Sequence, residues 1–77
     1  MTITGIVVMQ KTEQKKENEA TTSLVITDGE TVDVCRTSNP TTMNALEAYT
    51  LGDEITICVK QNVYKEKVYN TIEKIVK

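Results

Sequence analysis

A turn signal directly before an alternating run constrains the fold of this chain more than any other feature. Leu51-Gly52-Asp53 stands immediately before residues 54–60, in which apolar and polar side chains alternate as they do in a half-buried strand. A second turn signal, Asp28-Gly29, lies between two further alternating runs, and glycine tolerates the positive φ angles that such turns need. Together the two signals predict the order strand, strand, strand, helix, strand, strand.

The composition favours a sheet that closes into a small barrel. The 77 residues are enough for a single domain, predicted over 1–77, and a chain of this size buries only about 60% of its unfolded surface. A closed barrel suits such a chain because one core serves every strand and no strand edge is left unpaired. Nine valines, seven isoleucines and thirteen threonines favour strands, and the absence of Phe and Trp means that the core is aliphatic.

The predicted strands are rich in β-branched residues and are bounded by polar or glycine-containing turns. Gly5, inside the first strand, predicts a bulge or a sharp bend of the kind that a small barrel needs at its corners. The polar stretch 13–20 is expected to be a solvated connection or hairpin end. The strands are predicted over 2–12, 21–27, 31–36, 54–62 and 67–76.

A short helix is predicted over 41–50, with Thr41 or Thr42 as its cap and Gly52 in the turn that follows it. Its residues Met43, Leu46 and Tyr49 fall on one face and are expected to close the bottom of the barrel. The strand alternation points Leu24, Ile26, Val32, Val34, Ile55, Ile57 and Val59 inward. On the outer face of the second and third strands it places Ser23, Val25, Thr27, Asp33 and Cys35.

The last element has two interpretations. Val68, Ile72 and Val76 repeat every four residues, which also fits a helix whose apolar face includes Ile75. We favour a strand because the stretch 68–72 contains β-branched and aromatic residues and follows the fourth strand after a short connection.

Charge is unevenly distributed along the chain. Nine basic and eleven acidic residues give a net charge of −2. Residues 28–54 carry Arg36 against six acidic side chains, whereas 60–77 carry five lysines against two glutamates. A polyanionic partner would therefore prefer the second region and avoid the first, and the global charge gives no support for nucleic-acid binding.

Several classes of protein are disfavoured. The chain has no histidine, so the usual general base and the usual zinc ligand are missing, and we expect no enzyme, no metal and no cofactor. Cys35 and Cys58 are placed on strands that are not neighbours, which disfavours a disulfide and indicates a cytoplasmic protein. No apolar run is long enough for a membrane helix, and no positively charged segment precedes the apolar run 3–9 as in a signal peptide.

The pattern resembles that of the OB-fold superfamily, in particular its compact anticodon-binding-like and single-strand-binding members. The resemblance covers nearly the whole chain, and it implies an all-β, five-stranded OB-like barrel with one short helix, in the order β-β-β-α-β-β. The segments that carry it are 3–7, 24–29, 31–34, the entry 51–55 and the closing strand.

The resemblance also implies where a ligand would lie. In such barrels ligands lie across the second and third strands, between the loop joining strands one and two and the loop joining strands four and five. Lysines there would contact phosphates and a tyrosine would stack on a base, with Arg36 reaching the same groove. The candidate nucleic-acid-binding residues are therefore Lys11, Lys15, Lys16, Arg36, Tyr64, Lys65 and Lys67.

Two functions remain open at this stage. The first is binding of single-stranded nucleic acid, with homo-oligomerisation extending the groove. The second is a protein-interaction module, such as a phage-borne inhibitor or adaptor, whose acidic surface around Glu47, Asp53 and Glu54 would dock a basic protein surface. Independently of either function, the alternative for the lysines is ordinary solubility, for Tyr64 a partly buried rim position, and for Tyr69 a packed position in the barrel. The compact size would also suit a phage or plasmid protein.

Overall fold

The computed structural model is a closed barrel of five strands with one short helix. It describes residues 1–17 and 19–76, without the side chain of Lys15. The elements are β1 (Thr2–Lys16), β2 (Glu19–Thr27), β3 (Val32–Thr37), α1 (Pro40–Leu46), β4 (Glu54–Tyr64) and β5 (Lys67–Ile75). The predicted order is confirmed, and the last element is a strand rather than a helix. Around the barrel the strand order is β1-β2-β3-β5-β4, in which β3 and β5 are parallel and the other pairs antiparallel.

The barrel closes because β1 is long enough to serve two partners. Residues 2–6 of β1 pair with β4, and the strand pairs with β2 from Ile6 onward. Gly5 stands at this change of partner, where a Cβ would lie 2.9 Å from the carbonyl oxygen of Thr27. A bulge does occur in β1, but it lies at Val8, between the paired residues Val7 and Met9. The glycine is therefore needed for close strand approach rather than for the bulge.

Aliphatic side chains fill the barrel. The predicted inward residues of β2 and β4 are buried, and each such side chain contributes about 1.5–3 kcal/mol relative to an exposed one. From α1, Leu46 is fully buried, Met43 is half-buried and the following Tyr49 packs against the core, so the helix does close one end of the barrel. The core consists of Val7, Leu24, Ile26, Cys35, Leu46, Ile55, Ile57, Val59 and Ile72.

The side chains predicted to point inward from β3 are the wrong ones. Val32 and Val34 are 64% and 42% exposed, whereas Cys35 and Thr37 are buried. The prediction implied a three-residue connection after Thr27, but the connection has four residues, and Thr27 pairs with Val32. A shift of one residue moves every side chain of a strand to the opposite face.

The helix begins one residue earlier than predicted and has a different cap. The side-chain oxygen of Asn39 accepts hydrogen bonds from the backbone nitrogens of Thr41 and Thr42, at 2.9 and 3.4 Å. Asn39 thus satisfies two amide groups that no helical carbonyl can reach. The left-handed turn at Gly52, with φ of 94°, is confirmed.

Two hairpins continue beyond the barrel as arms. We call residues 11–23 of β1 and β2 the first arm, and residues 60–71 of β4 and β5 the second arm. Of the two predictions for 13–20, a solvated connection or a hairpin end, the hairpin end is confirmed, since β1 runs to Lys16 and β2 begins at Glu19. Both strands therefore extend further than predicted. Polar side chains contribute to this ladder, since the hydroxyls of Thr12 and Thr22 lie 2.8 Å apart across it.

The two cysteines lie on the non-adjacent strands β3 and β4, and both are free thiols. Burial, and then the negative charge of Asp33, raises the pKa of the Cys35 thiol to about 11, so this thiol stays protonated at neutral pH. Within residues 1–17 and 19–76, no helix is long and apolar enough to span a membrane.

Candidate nucleic-acid interface

The outer face of β1, β2 and β3 is organised in rows of side chains, because cross-strand partners in an antiparallel ladder share a face. The face changes character along the strands, from aliphatic near the β2–β3 turn to basic near the arms. The three rows are, in order, Ile6–Thr27–Val32, then Met9–Val25–Val34, then Lys11–Ser23–Arg36.

The second row provides an apolar floor. Met9 and Val34 are 48% and 42% exposed, and Val25 lies between them, half-buried. Ser23, Val25 and Thr27 face outward as predicted. Asp33 and Cys35 do not, because the four-residue turn reverses the face of β3. The outer face therefore lacks the aspartate that the sequence placed there, and Val34 occupies it instead.

The third row continues across the sheet to give a line of cationic side chains, which we call the basic row. Arg36 pairs with Ser23 on one side and with Thr71 of β5 on the other. Thr71 in turn pairs with Lys60 of β4. Among the described residues Arg36 forms no salt bridge, with Asp33 or Glu30 or with any other acid. The basic row thus carries the cations of Lys11, Arg36 and Lys60.

A cleft of about 450 Å³ lies beside the basic row. Arg36 and Ser23 form part of its wall, and Tyr69 of β5, which is 37% exposed, forms another part. The expectation that Tyr69 packs inside the barrel is wrong. Counting outward from the buried Ile72, alternation along β5 places Thr71 and Tyr69 on the outer face, so the sequence did contain this signal. The residues lining the cleft are Glu13, Thr21, Ser23, Arg36 and Tyr69.

Lys11 is exposed in the basic row, and its ammonium nitrogen lies 3.8 Å from a carboxylate oxygen of Glu13. Both side chains are more than half exposed, so the pair contributes little to stability. Its electrostatic consequence is local: Glu13 brings a negative charge into the cleft and offsets part of the attraction that Lys11 exerts on an anion.

Three of the predicted residues lie at the end of the second arm. Tyr64 pairs with Lys67, and the Lys65 ammonium lies 5.4 Å from the centre of the Tyr64 ring, a cation–π distance. Lys67, Tyr69 and Thr71 alternate along β5, which places Lys67 on the same face as the cleft. The Tyr64 side chain is 63% exposed, which is more than expected of a partly buried rim residue. The second arm extends one wall of the cleft.

The lysines at the end of the first arm lie away from the basic row. Lys16 is exposed at the last position of β1, where it pairs with Glu19. The backbone of Lys15 belongs to β1, and its side chain lies outside the described part of the structure. Of the seven predicted residues, the structure brings Lys11 and Arg36 into one row and groups Tyr64, Lys65 and Lys67 on the second arm.

A second cleft, of about 670 Å³, lies on the other side of the first arm, between that arm and the start of α1. Thr21 and Ser38 line this cleft, and their hydroxyl oxygens form a hydrogen bond of 2.9 Å. Its lining is largely uncharged: Gln14, Glu19, Ala20, Thr21, Ser38, Pro40, Met43 and Asn44.

Within residues 1–17 and 19–76, no three His, Cys, Asp or Glu side chains lie close enough together to hold a metal ion. Comparison of the chain with family models, with curated proteins and with solved structures finds no match. The arrangement of the outer face therefore carries the functional argument by itself.

Proposed function

We propose that this chain is an OB-type barrel that binds single-stranded nucleic acid, without catalysis, across the outer face of β1, β2 and β3. The observation that supports this most strongly is the meeting of Arg36 and Tyr69 in one cleft. A cation and an exposed aromatic ring side by side match the two repeating parts of a nucleic-acid strand, its phosphates and its bases.

Each part of the face has a role in this proposal. The basic row neutralises phosphates, and the ring of Tyr69 stacks on a base. The floor of Met9, Val25 and Val34 receives the apolar faces of neighbouring bases. The bound nucleic-acid strand lies between the two arms, which prevent it from moving sideways off the face. A duplex fits poorly because its base faces are already stacked on one another, so the site selects single strands.

The acidic stretch 28–54 offers less support for a basic protein partner as the main function, because two of its carboxylates have roles within their own turns. Asp28 accepts hydrogen bonds from the backbone nitrogens of Glu30 and Thr31, at 2.9 and 2.8 Å. Asp53 accepts from the backbone nitrogen and the hydroxyl of Thr50, at 2.8 and 3.3 Å. Loop geometry accounts for these two acids without a partner.

The proposal is tested by fluorescence anisotropy of labelled single-stranded DNA and RNA. Tyr69→Ala should weaken binding by about 10- to 100-fold, which corresponds to roughly 1–3 kcal/mol for one stacked base. Tyr69→Phe keeps the ring and should bind nearly as the wild type does. Tyr64→Ala, at the end of the arm, should lose less than Tyr69→Ala.

The cations are tested by the salt dependence of the same binding curves. Three phosphate contacts from the basic row give a slope of log K against log salt of about −2, and Arg36→Ala should reduce its magnitude by about 0.7. Lys74→Ala is the matched control, because it also removes one exposed cation but from a residue that pairs with Cys58 of β4, away from the cleft. Equal slopes for the two variants would contradict the assignment of Arg36.

Glu13→Gln tests the electrostatics in the opposite direction. The variant removes the carboxylate from the cleft and releases Lys11 from its 3.8 Å contact. Binding should therefore become tighter at low salt, and this gain should fade as salt screens the charges. Weaker binding by Glu13→Gln would contradict phosphate binding in this cleft.

A further inference from the structure

The cleft of about 670 Å³ has one wall from the first arm and one wall from the start of α1. On the arm, Gln14 and Ala20 pair across the ladder and therefore share one of its faces. On the opposite wall, Met43 is half-buried and Asn44 is exposed. We call this space the amide cleft, because each wall carries one side-chain carboxamide, from Gln14 and from Asn44.

The lining of the amide cleft suits a flat ring with apolar faces and a polar edge. The arm contributes the methyl group of Ala20, and the opposite wall contributes Pro40 and the thioether of Met43. Of the described lining residues only Glu19 is charged, and its carboxylate repels a phosphate. The cleft is therefore suited to a nucleobase and not to the phosphate backbone.

The carboxamides supply the hydrogen bonds that the edge of a base needs. The amide nitrogen of Gln14 donates to the carbonyl oxygen of Lys16, at 2.6 Å, which holds this group in place on the arm. Asn44 lines the cleft from an exposed position of α1. A carboxamide presents a donor beside an acceptor. Adenine matches this pair, because its amino group donates and the neighbouring ring nitrogen accepts.

The amide cleft adjoins the cleft beside the basic row, because Thr21 lines both. Thr21 lies two residues before Ser23 of the basic row, which is about 7 Å along an extended strand. The hydroxyls of Thr21 and Ser38 form a hydrogen bond of 2.9 Å at the border between the two clefts. An extended nucleic-acid strand can thus keep one phosphate at the basic row and place a neighbouring base in the amide cleft.

We propose that the amide cleft is a base-reading site, which takes one base of the bound strand and prefers adenine. This proposal rests on the proposed function, since the basic row holds the strand. A carboxamide of Gln14 or Asn44 pairs with the edge of the adenine ring. The Glu19 carboxylate can only accept hydrogen bonds, so it favours an amino group over the carbonyl oxygen that thymine and uracil carry at the same place.

The preference is measured by fluorescence anisotropy of labelled oligo(dA) and oligo(dT) of equal length at low salt. Wild-type protein should bind oligo(dA) about 5-fold or more tightly than oligo(dT), as expected for one bidentate contact to a base. The ratio of the two affinities is the quantity to compare between variants, because differences in flexibility between the two strands are the same for each variant.

Two variants remove the carboxamides one at a time. Asn44→Ala and Gln14→Ala should each bring the ratio closer to 1 by weakening oligo(dA), with oligo(dT) almost unchanged. Asn44→Ala keeps the fold, since Asn44 is exposed and alanine favours a helix. Arg36→Ala should weaken both strands and keep the ratio.

Gln61→Ala is the matched control for the amide variants. It also removes an exposed carboxamide, but from a residue that pairs with Asn70 on the second arm and lines neither cleft. Its ratio should equal that of the wild type. A loss of preference as large as in Asn44→Ala would overturn the assignment to the amide cleft.

Free adenosine probes the amide cleft without the basic row, because it carries no phosphate. Titrated into isotopically labelled protein, it should shift the amide signals of Ala20, Ser38 and Asn44 and leave that of Arg36 unchanged. Uridine has the same sugar and should produce smaller shifts. Equal shifts from the two nucleosides would assign the cleft to the ribose and overturn the base-reading site.

Failure of the proposed function and failure of the base-reading site give different results. If neither oligonucleotide binds at low salt, the proposed function fails, and a base-reading site for a bound strand fails with it. If both bind but the wild type shows no preference for oligo(dA), only the base-reading site is overturned. The same conclusion follows if the preference survives in both Asn44→Ala and Gln14→Ala.

Discussion

The barrel and its arms are made of the same continuous strands, yet almost all of the buried side chains belong to the barrel, and Thr22 is the one described residue of the arms that is buried. In β4 the alternation that places Ile55, Ile57 and Val59 at 0–1% exposure leads to Val63 at 73%. In β5 the same face holds the buried Ile72 and the 61% exposed Val68. Alternation thus defines the two faces of a ladder, but burial requires a second layer opposite one face. The closed barrel supplies that layer, and the arms project beyond it.

This difference separates stability from function in the molecule. The barrel holds the aliphatic core and sets the register of the outer face. The arms contribute little to the core, and their exposed side chains are therefore free to contact a ligand. Four predictions follow this division from the largest expected effect to the smallest.

Truncation of a core residue should have the largest effect on stability. Ile57→Ala should destabilise the fold by about 2–5 kcal/mol, because it removes a fully buried side chain from a close-packed core. The matched variant Val63→Ala, in the same strand but on the arm, should change the free energy of unfolding by less than about 0.5 kcal/mol. Urea denaturation measures both. Similar losses for the two variants would mean that the arm packs as the barrel does.

A side chain at the barrel corner should have the next largest effect. Gly5→Ala places a Cβ 2.9 Å from the Thr27 carbonyl oxygen and should cost about 1–3 kcal/mol, because two backbone segments must separate. Gly29→Ala, where φ is 99° and the space is open, isolates the purely conformational cost of about 1 kcal/mol. Thermal unfolding should rank Gly5→Ala as the less stable protein, and the reverse ranking would contradict the close approach at Gly5.

The turn of the second arm should be open to improvement. Lys65 and Glu66 have φ of 50° and 67°, a conformation that Asn-Gly adopts more readily in two-residue hairpin turns. Lys65→Asn with Glu66→Gly should therefore stabilise the arm by roughly 0.5–1 kcal/mol. Amide hydrogen exchange within 61–70 should slow, while exchange in the barrel stays unchanged. Faster exchange in the arm would contradict the turn geometry.

The smallest effect should come from the β2–β3 turn as a function of pH. The hydrogen bonds from the backbone of Thr31 and then of Glu30 hold the pKa of Asp28 below its ordinary value of 3.8. Because the folded-state pKa is lowered, the contribution of Asp28 is present above 3.8 and is lost as pH falls below it. The stability difference between wild type and Asp28→Asn should thus shrink on acidification, as urea denaturation at several pH values would show. A difference that grows in acid would contradict the lowered pKa.

The barrel could be predicted from the sequence because its signals are local. Turn residues and β-branched alternation identified five strands, the helix and most of the inward side chains. The inner face of β3 could not be predicted with the same security, since it depends on whether the turn after Thr27 has three or four residues. The strands of the first arm were predicted too short because its polar residues show no apolar alternation, although pairing with a neighbouring strand suffices to keep them in a ladder.

Only part of the candidate site could be predicted, because its residues are brought together by strands that are distant in sequence. Lys11 and Arg36 were chosen from the expected position of the groove, but the row that joins them to Lys60 depends on pairing between β3, β5 and β4. Tyr69 was assigned to the interior, and its place beside Arg36 follows from the alternation counted from Ile72. Contacts between strands distant in sequence thus determine the site, and single-strand patterns do not reveal them.

The central claim is that single-stranded nucleic acid lies on the outer face of β1, β2 and β3, and amide chemical-shift mapping tests it most directly. A short oligonucleotide titrated into isotopically labelled protein should shift the amides of Lys11, Ser23, Arg36 and Tyr69. The amide chemical shifts of Thr56 and Cys58, on the outer face of β4 beside the start of β1, should not change. No shift at low salt, or shifts confined to 28–31 and 51–54, would contradict the account.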